Sequence, residues 1–399
     1  MTFTRRLDLT ERGGWTPARL PPATGQALAA SGVVEARPDP YDPTRWEVRP
    51  LTRAGAVRIA GVDVSIAPKI PVRRLFFLLG YTADPTRGWR TEEELVETAA
   101  HAGVVPALAH AFERLADRAL RQGLLQGYRT VNDALPVVRG RVRTTDQMRR
   151  RYGVPLPVEV TYDEFTVDIP ENQLLLAAAE RLLRLPDVPA DTRHRLLRLR
   201  ARLGDVSPLV PGRPLPRWRS SRLNTRYRAP CRFAELLLNG TSVEHRRGDA
   251  RVDGFLFDLA KVFEDFVCTA LAQALRPYGG RCRAQARHHL DEASEIVLRP
   301  DLVHYSDDGV PLAVADAKYK AEKPEGFPAA DLYQMLAYCT ALGLPAGHLI
   351  YAKGNEPQAR HTVRHAGTVI TQHALELDEE PSRLLAAVGR IAARLATGP

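Results

Sequence analysis

The sequence predicts an α+β protein of more than one domain. Three observations carry this. The first 75 residues alternate apolar and polar positions between Pro, Gly and Asp; helical spacing then takes over; and from residue 229 the order becomes helix, helix, three strands, helix, strand. Such a succession builds a small α/β unit with a mixed sheet behind a separate N-terminal region. At 399 residues the chain is long enough for two or three domains.

In chain order, "GVVEARPDPYDPTRWEVRPL" and "AVRIAGVDVSIAPKIP" read as strands and turns. Residues 91–125 read as helix, and "LPVVRGRVRTTDQMRRRYGVPLPVEVTYDEFTVD" returns to strand. Asp168 is placed to cap the helix "ENQLLLAAAERLLRL", with Pro170 and Glu171 in its first turn. A second helix, "DTRHRLLRLRARL", pairs with it, and residues 207–232, rich in Pro and Arg, form a connector. The expected division is 1–160 for a strand-rich and helical region, 161–230 for the helical hairpin and connector, and 231–399 for the α/β domain. Within the last, helices are expected at 230–239, 256–276 and 329–342, and strands at 281–290, 295–305, 311–320 and 348–353.

A net charge of +9 favours an anionic partner, nucleic acid first. The basic residues divide into 50 Arg and only 6 Lys, so a retained Lys marks a place where a compact ammonium is needed and a guanidinium will not serve. Three of the six, Lys318, Lys320 and Lys323, fall together. Four scattered cysteines without a Cys-x-x-Cys pair suggest neither a zinc site nor a disulfide framework. No apolar run of membrane-spanning length occurs and the N-terminus lacks a signal-peptide core, so a cytoplasmic protein without membrane contact is expected. No Gly precedes any Lys, which excludes a phosphate loop of the Gly-x-x-x-x-Gly-Lys-Ser/Thr form.

The chemistry concentrates in "RPDLVHYSDDGVPLAVADAKYK", residues 299–320. Side chains alternate along a strand, so Asp316, Lys318 and Lys320 share one face and Ala315, Ala317 and Tyr319 the other. The turn "SDDG" brings Asp301 alongside. Two carboxylates beside a lysine suit a hydrated Mg²⁺ and an activated water.

Pro300-Asp301 followed by Asp316-Ala317-Lys318 resembles the PD-(D/E)xK nuclease signature. Glu264 lies at the border of the apolar stripe of "FDLAKVFEDFVCTALAQAL" and matches that superfamily's auxiliary carboxylate; Gln334 and Tyr338, four apart, resemble the Gln-x-x-x-Tyr element of its RecB-like branch. With "IAPKIPVRRLFFLLGY", "GRVRTTDQ", "YDEFTVDIPENQLLLAA" and "LFDLAKVFEDFV", the resemblance narrows to the McrC family. It implies an N-terminal region that docks on an McrB-like AAA+ GTPase ring and a C-terminal nuclease domain cutting modified double-stranded DNA. Asp301, Asp316, the Ala317 carbonyl and Glu264 would hold Mg²⁺, with Mn²⁺ as a substitute, and Lys318 would position the attacking water.

Segment 213–232 carries seven Arg, among them Arg219, Arg222 and Arg226, near Trp218, Tyr227 and Phe233, a composition suited to phosphate contact with stacking. Gln334, Tyr338 and Lys320 would join in placing DNA. Lys69, alone among the first 260 residues, and Arg139 and Arg141 are candidates for partner docking. Two other functions compete: a non-catalytic activator of an NTPase ring, which would not need the Asp-Asp-Lys set, and a stand-alone RecB-like repair nuclease, which would not need the N-terminal region.

Overall fold

The alternating N-terminal segments fold into six strands. The computed structural model describes residues 3–83, 103–210, 212–239, 252–321, 329–353 and 359–397. Strands β1 (Arg6–Thr10) and β2 (Thr16–Arg19) precede helix α1 (Pro22–Ala30), then come β3 (Val34–Pro38), β4 (Arg45–Pro50), β5 (Arg53–Ile59), β6 (Val62–Ala67) and α2 (Val72–Ala83). On β6 the period of two is plain, with Val62, Val64 and Ile66 buried and the residues between them half-buried. The β5–β6 hairpin turns at Ala60 and Gly61, both at positive φ, as a tight two-residue hairpin requires.

The middle of the chain holds α3 (Val104–Leu120), β7 (Gly127–Leu135), β8 (Arg141–Val142), α4 (Thr144–Arg150), β9 (Val158–Thr166), α5 (Pro170–Arg184), α6 (Ala190–Arg202) and α7 (Arg228–Asn239). The first part of the helix expected from residue 91 lies outside the described residues. β7, β9 and β8 form one antiparallel sheet. Asp168 does not cap α5: the cap position is Ile169, with no side-chain hydrogen bond. The Asp168 carboxylate is spent on longer-range donors, Gln173 Nε2 at 2.8 Å, Ser207 N at 2.9 Å, Ser207 Oγ at 2.7 Å and the Arg129 guanidinium.

The remainder comprises β10 (Val252–Asp258), α8 (Leu259–Leu275), β11 (Arg281–Ala284), β12 (His288–His289), β13 (Val297–Leu298), β14 (Leu302–Tyr305), β15 (Pro311–Ala321), α9 (Ala329–Leu342), β16 (Ala346–Lys353), β17 (Arg360–Thr362), β18 (Val369–Ala374) and α10 (Pro381–Thr397). Residues 256–258, expected as helix, end β10 instead; Asp258 then caps α8 by accepting from Ala260 N and Lys261 N. The expected strands 281–290 and 295–305 are each broken into two short pieces.

The central sheet runs β11-β14-β15-β16-β18-β17 and is mixed, as expected: β15, β16 and β18 are parallel, the others antiparallel. Helix α9 crosses from β15 to β16, the connection that parallel neighbours need. Its Met335, Tyr338 and Cys339 pack on Val303, Val314, Leu349 and Tyr351. The approach is close at Gly347 on β16, where a Cβ would come within 2.4 Å of Met335 Sδ and 2.6 Å of Cys339 Sγ.

The chain forms an α+β protein of two compact units. One is residues 1–104, 246–252 and 256–399; the other is 105–245 with 253–255. In the first unit α2 meets α8 through Phe77, Tyr81 and Phe266, with ring centroids 5.5–5.9 Å apart. Arg74 on α2 also bonds Glu380 at 2.5 Å. The N-terminal sheets and the C-terminal sheet therefore share one packed body, although a long stretch of sequence separates them.

Candidate active site

Leu302 of β14 is paired with Ala315 of β15, so the register lays Asp301 beside Asp316. Asp301 Oδ2 accepts from Ala317 N at 2.8 Å, and its carbonyl accepts from Cys268 Sγ of α8 at 3.3 Å. Asp316 is 2% exposed. Lys318 Nζ stands 2.5 Å from Asp316 Oδ2 as an ion pair, yet this buried oxygen accepts no aligned hydrogen bond.

The alternation along β15 delivers the expected faces. Lys318 Nζ donates to Gln334 Oε1 of α9 at 2.7 Å, Gln334 Nε2 donates to the Tyr338 hydroxyl at 2.7 Å, and that hydroxyl donates to the Arg299 carbonyl at 3.3 Å. Tyr319 instead meets Phe263 of α8, with ring centroids 5.9 Å apart. Glu264, one residue on, faces the acids: its Oε1 accepts from Gln285 Nε2 at 2.7 Å, and the same nitrogen donates to Asp301 Oδ1 at 2.8 Å. Lys261 Nζ donates to the same Oε1 of Glu264 at 2.9 Å.

Gln285 was not signalled by the sequence. It lies in the turn after β11, and only the tertiary fold brings its amide between two carboxylates separated from it by 16 and 21 residues.

The acids are electrostatically uncomfortable. Asp301 is pushed up to about 7, by burial first and by the Asp316 charge second. Asp316 is also raised by burial, against the pull of Lys318. A buried and a half-buried carboxylate beside one ammonium leave excess negative charge that favours a proton or a cation.

Among the described residues no three His, Cys, Asp or Glu side chains gather as a metal cage. The oxygen donors brought together are the Asp301 and Asp316 carboxylates. Mg²⁺ is typically held by one or two carboxylates and keeps several waters, so this pair, whose buried Asp316 Oδ2 accepts no aligned hydrogen bond, fits such an ion.

The other candidates scatter. The side chain of Lys320 lies outside the described residues. Lys69 is exposed, while its backbone N donates to Glu11 Oε2 at 3.3 Å. In the second unit Arg219 and Arg222 are exposed, but Arg226 is committed to Gln122 Oε1 at 2.8 Å and the Gly123 carbonyl at 3.0 Å. Tyr227 and Phe233 are buried and cannot stack on a base: Tyr227 accepts from Leu125 N at 2.9 Å, and Phe233 packs on Phe112. Arg139 is exposed and stands 4.2 Å from the Tyr162 ring centroid, and Arg141 is exposed on β8. Three neighbours, Arg143, Arg150 and Arg151, converge on the buried Glu159. All four cysteines are free, and among the described residues no helix is long and apolar enough to cross a membrane.

Comparison with protein families matches residues 48–352 to the McrBC 5-methylcytosine restriction system component. The chain belongs to this family. It is thereby a restriction-system component, and the resemblance read from its sequence holds. A chain from the refined half-complex of a tetradecameric assembly of Thermococcus gammatolerans McrB AAA+ hexamers with bound McrC is similar in fold, with TM-score 0.58 at 16% identity over 96% of this chain and 98% of that one. A chain of the T. gammatolerans McrBC complex matches at TM-score 0.43 and 18% identity, over 68% of this chain and 88% of that one. Comparison with curated protein sequences returns no match.

Proposed function

We propose that this chain is the Mg²⁺-dependent DNA endonuclease subunit of an McrBC-type restriction complex, working with an McrB-like AAA+ GTPase ring whose hydrolysis it stimulates. The observation that carries the reading is the convergence of Asp301, Asp316 and Lys318, with two carboxylates beside a single ammonium. Asp301, Asp316 and the Ala317 carbonyl would hold Mg²⁺, for which Mn²⁺ could substitute; the ion supplies charge stabilisation at the phosphate and a more acidic water.

The protein's own groups do the rest. Ala317 N fixes Asp301, Gln285 spaces Asp301 from Glu264, and Gln334 aims the Lys318 ammonium. Lys318 donates to the attacking water or to a phosphate oxygen. Glu264 holds a water at the rim. The exposed Arg219 and Arg222, with Lys320, would contact DNA phosphates, and Lys69, Arg139 and Arg141 would meet the partner ring.

The test is cleavage of methylcytosine-containing and unmodified DNA by the full chain, with and without the partner and Mg²⁺. Cleavage requiring all of them in the wild type, and reduced at least ~100-fold in Asp316→Asn with partner GTPase stimulation intact, is the expected result. Wild-type cleavage by Asp316→Asn defeats the metal assignment. Stimulation of the ring without cleavage by the wild type would make the chain an activator instead.

A further inference from the structure

Strand β15 does not run evenly past the site. Lys318 pairs with Tyr351 and Ala321 with Lys353, so three steps on β15 span two on β16 and the strand bulges immediately after Lys318. A bulge bends its strand, re-aims the adjoining side chain and leaves ladder groups in need of other partners.

Those partners come from the other end of the chain. In the turn that ends β1, the Arg12 guanidinium donates to the Tyr319 carbonyl inside the bulge and lies 5.3 Å from the Tyr319 ring centroid. The Tyr319 hydroxyl donates to Glu11 Oε2 at 3.1 Å. Glu11 is 1% exposed and is itself fixed, its carboxylate by Lys69 N and its own N by the Ala67 carbonyl at 2.8 Å. Arg12 sits at φ +51°, a conformation that strains a non-glycine residue and persists where surrounding contacts impose it.

We infer that the Glu11–Arg12 turn is a positioning element for the nuclease site, holding the β15 bulge so that Lys318 keeps its place between Asp316 and Gln334. Neither residue touches the acids. Both act through Tyr319, whose side chain occupies the face of β15 opposite Lys318. The inference rests on the role proposed above for Lys318. It also gives the N-terminal region a second use: β1 and β6 form part of the support of the catalytic strand, whatever else that region binds.

The experiment uses the full chain assembled with its AAA+ partner and Mg²⁺, comparing wild type, Arg12→Ala, Arg12→Lys, Tyr319→Phe and Lys318→Ala. Arg12→Ala should lower the cleavage rate at saturating DNA roughly 10- to 100-fold while DNA affinity stays within about twofold, because displacement of a reacting group by an ångström costs on that order. Arg12→Lys should restore part of the rate by again donating to the Tyr319 carbonyl. Hydrogen exchange should quicken at the amides of residues 317–321 in Arg12→Ala and not on α10. A residue that merely stabilised the fold would lower the melting temperature and leave the rate well below melting unchanged.

Wild-type cleavage by Arg12→Ala beside an inactive Lys318→Ala overturns the inference and spares the nuclease reading; wild-type cleavage by Lys318→Ala removes both. Should Arg12→Ala not fold, Tyr319→Phe carries the same test: loss of the Glu11 bond should slow cleavage severalfold and raise exchange in the bulge, and an unchanged rate and exchange would count against the turn.

Discussion

Two buried aspartates show how differently a fold can treat a carboxyl group. Asp168 and Asp316 are 5% and 2% exposed. Burial pushes Asp168 up, but Gln173, Ser207 and Arg129 outweigh it, and the carboxyl ends below its ordinary value. Burial pushes Asp316 up and is not overcome, although a lysine stands beside it, and its neighbour Asp301 rises with it. The outcomes are opposite because Asp316 lies deeper and beside a second acid, whereas Asp168 is met by several donors. An acid left short of donors is held ready for something that arrives with charge.

The largest effect that would break this contrast lies at Lys318. If its ammonium acts at a fixed point beside Asp316, Lys318→Arg should cut at a rate reduced at least ~100-fold despite its retained charge, since a planar guanidinium cannot take the same place. Near-normal cleavage would reduce the lysine to a diffuse positive charge.

At Asp168 the effect should fall on stability. Asp168→Asn removes a charge held by Gln173, Ser207 and the part-exposed Arg129, and should cost about 1.5 kcal/mol in denaturant unfolding at neutral pH. Because the folded carboxyl titrates below 3.8, that difference should be complete above pH 3.8 and fade as pH falls through the folded value. A difference that persisted unchanged at lower pH would mean that shape, not charge, was lost.

The smallest effect is a melting shift. Mg²⁺ should raise the melting temperature of the wild type by roughly 2 °C or more, since an ion bound only to the folded state stabilises it. Asp316→Asn should show no such rise, and Asp168→Asn should show it in full. Equal shifts in all three would place the ion elsewhere.

The hairpin was legible because its information is local: period-two alternation and a turn suffice to bring Asp301, Asp316 and Lys318 together. The face shared by Gln334 and Tyr338 was legible for the same reason, and α9 begins and ends where its pattern does. What sequence reading missed depends on contacts between distant residues. Asp168 looked like a cap because Pro170 and Glu171 follow it, yet Ser207 and Arg129 compete for its oxygens. Tyr227 and Phe233 had a nucleic-acid composition around them and proved to be core. Gln285, Glu11 and Arg12 carry no motif, and their importance arises only when the sheet, α8 and β1 are assembled.

The hydrogen at Gly347 works as a spacer gauge. Met335 and Cys339 rest against it so closely that a single added methyl group would force their side chains to shift. Gln334 is the residue before Met335, and its amide spans the gap to Lys318 with a 2.7 Å bond. The seat of the helix from which Gln334 reaches the lysine is therefore shaped from beneath, by the smallest residue of the strand paired with β15.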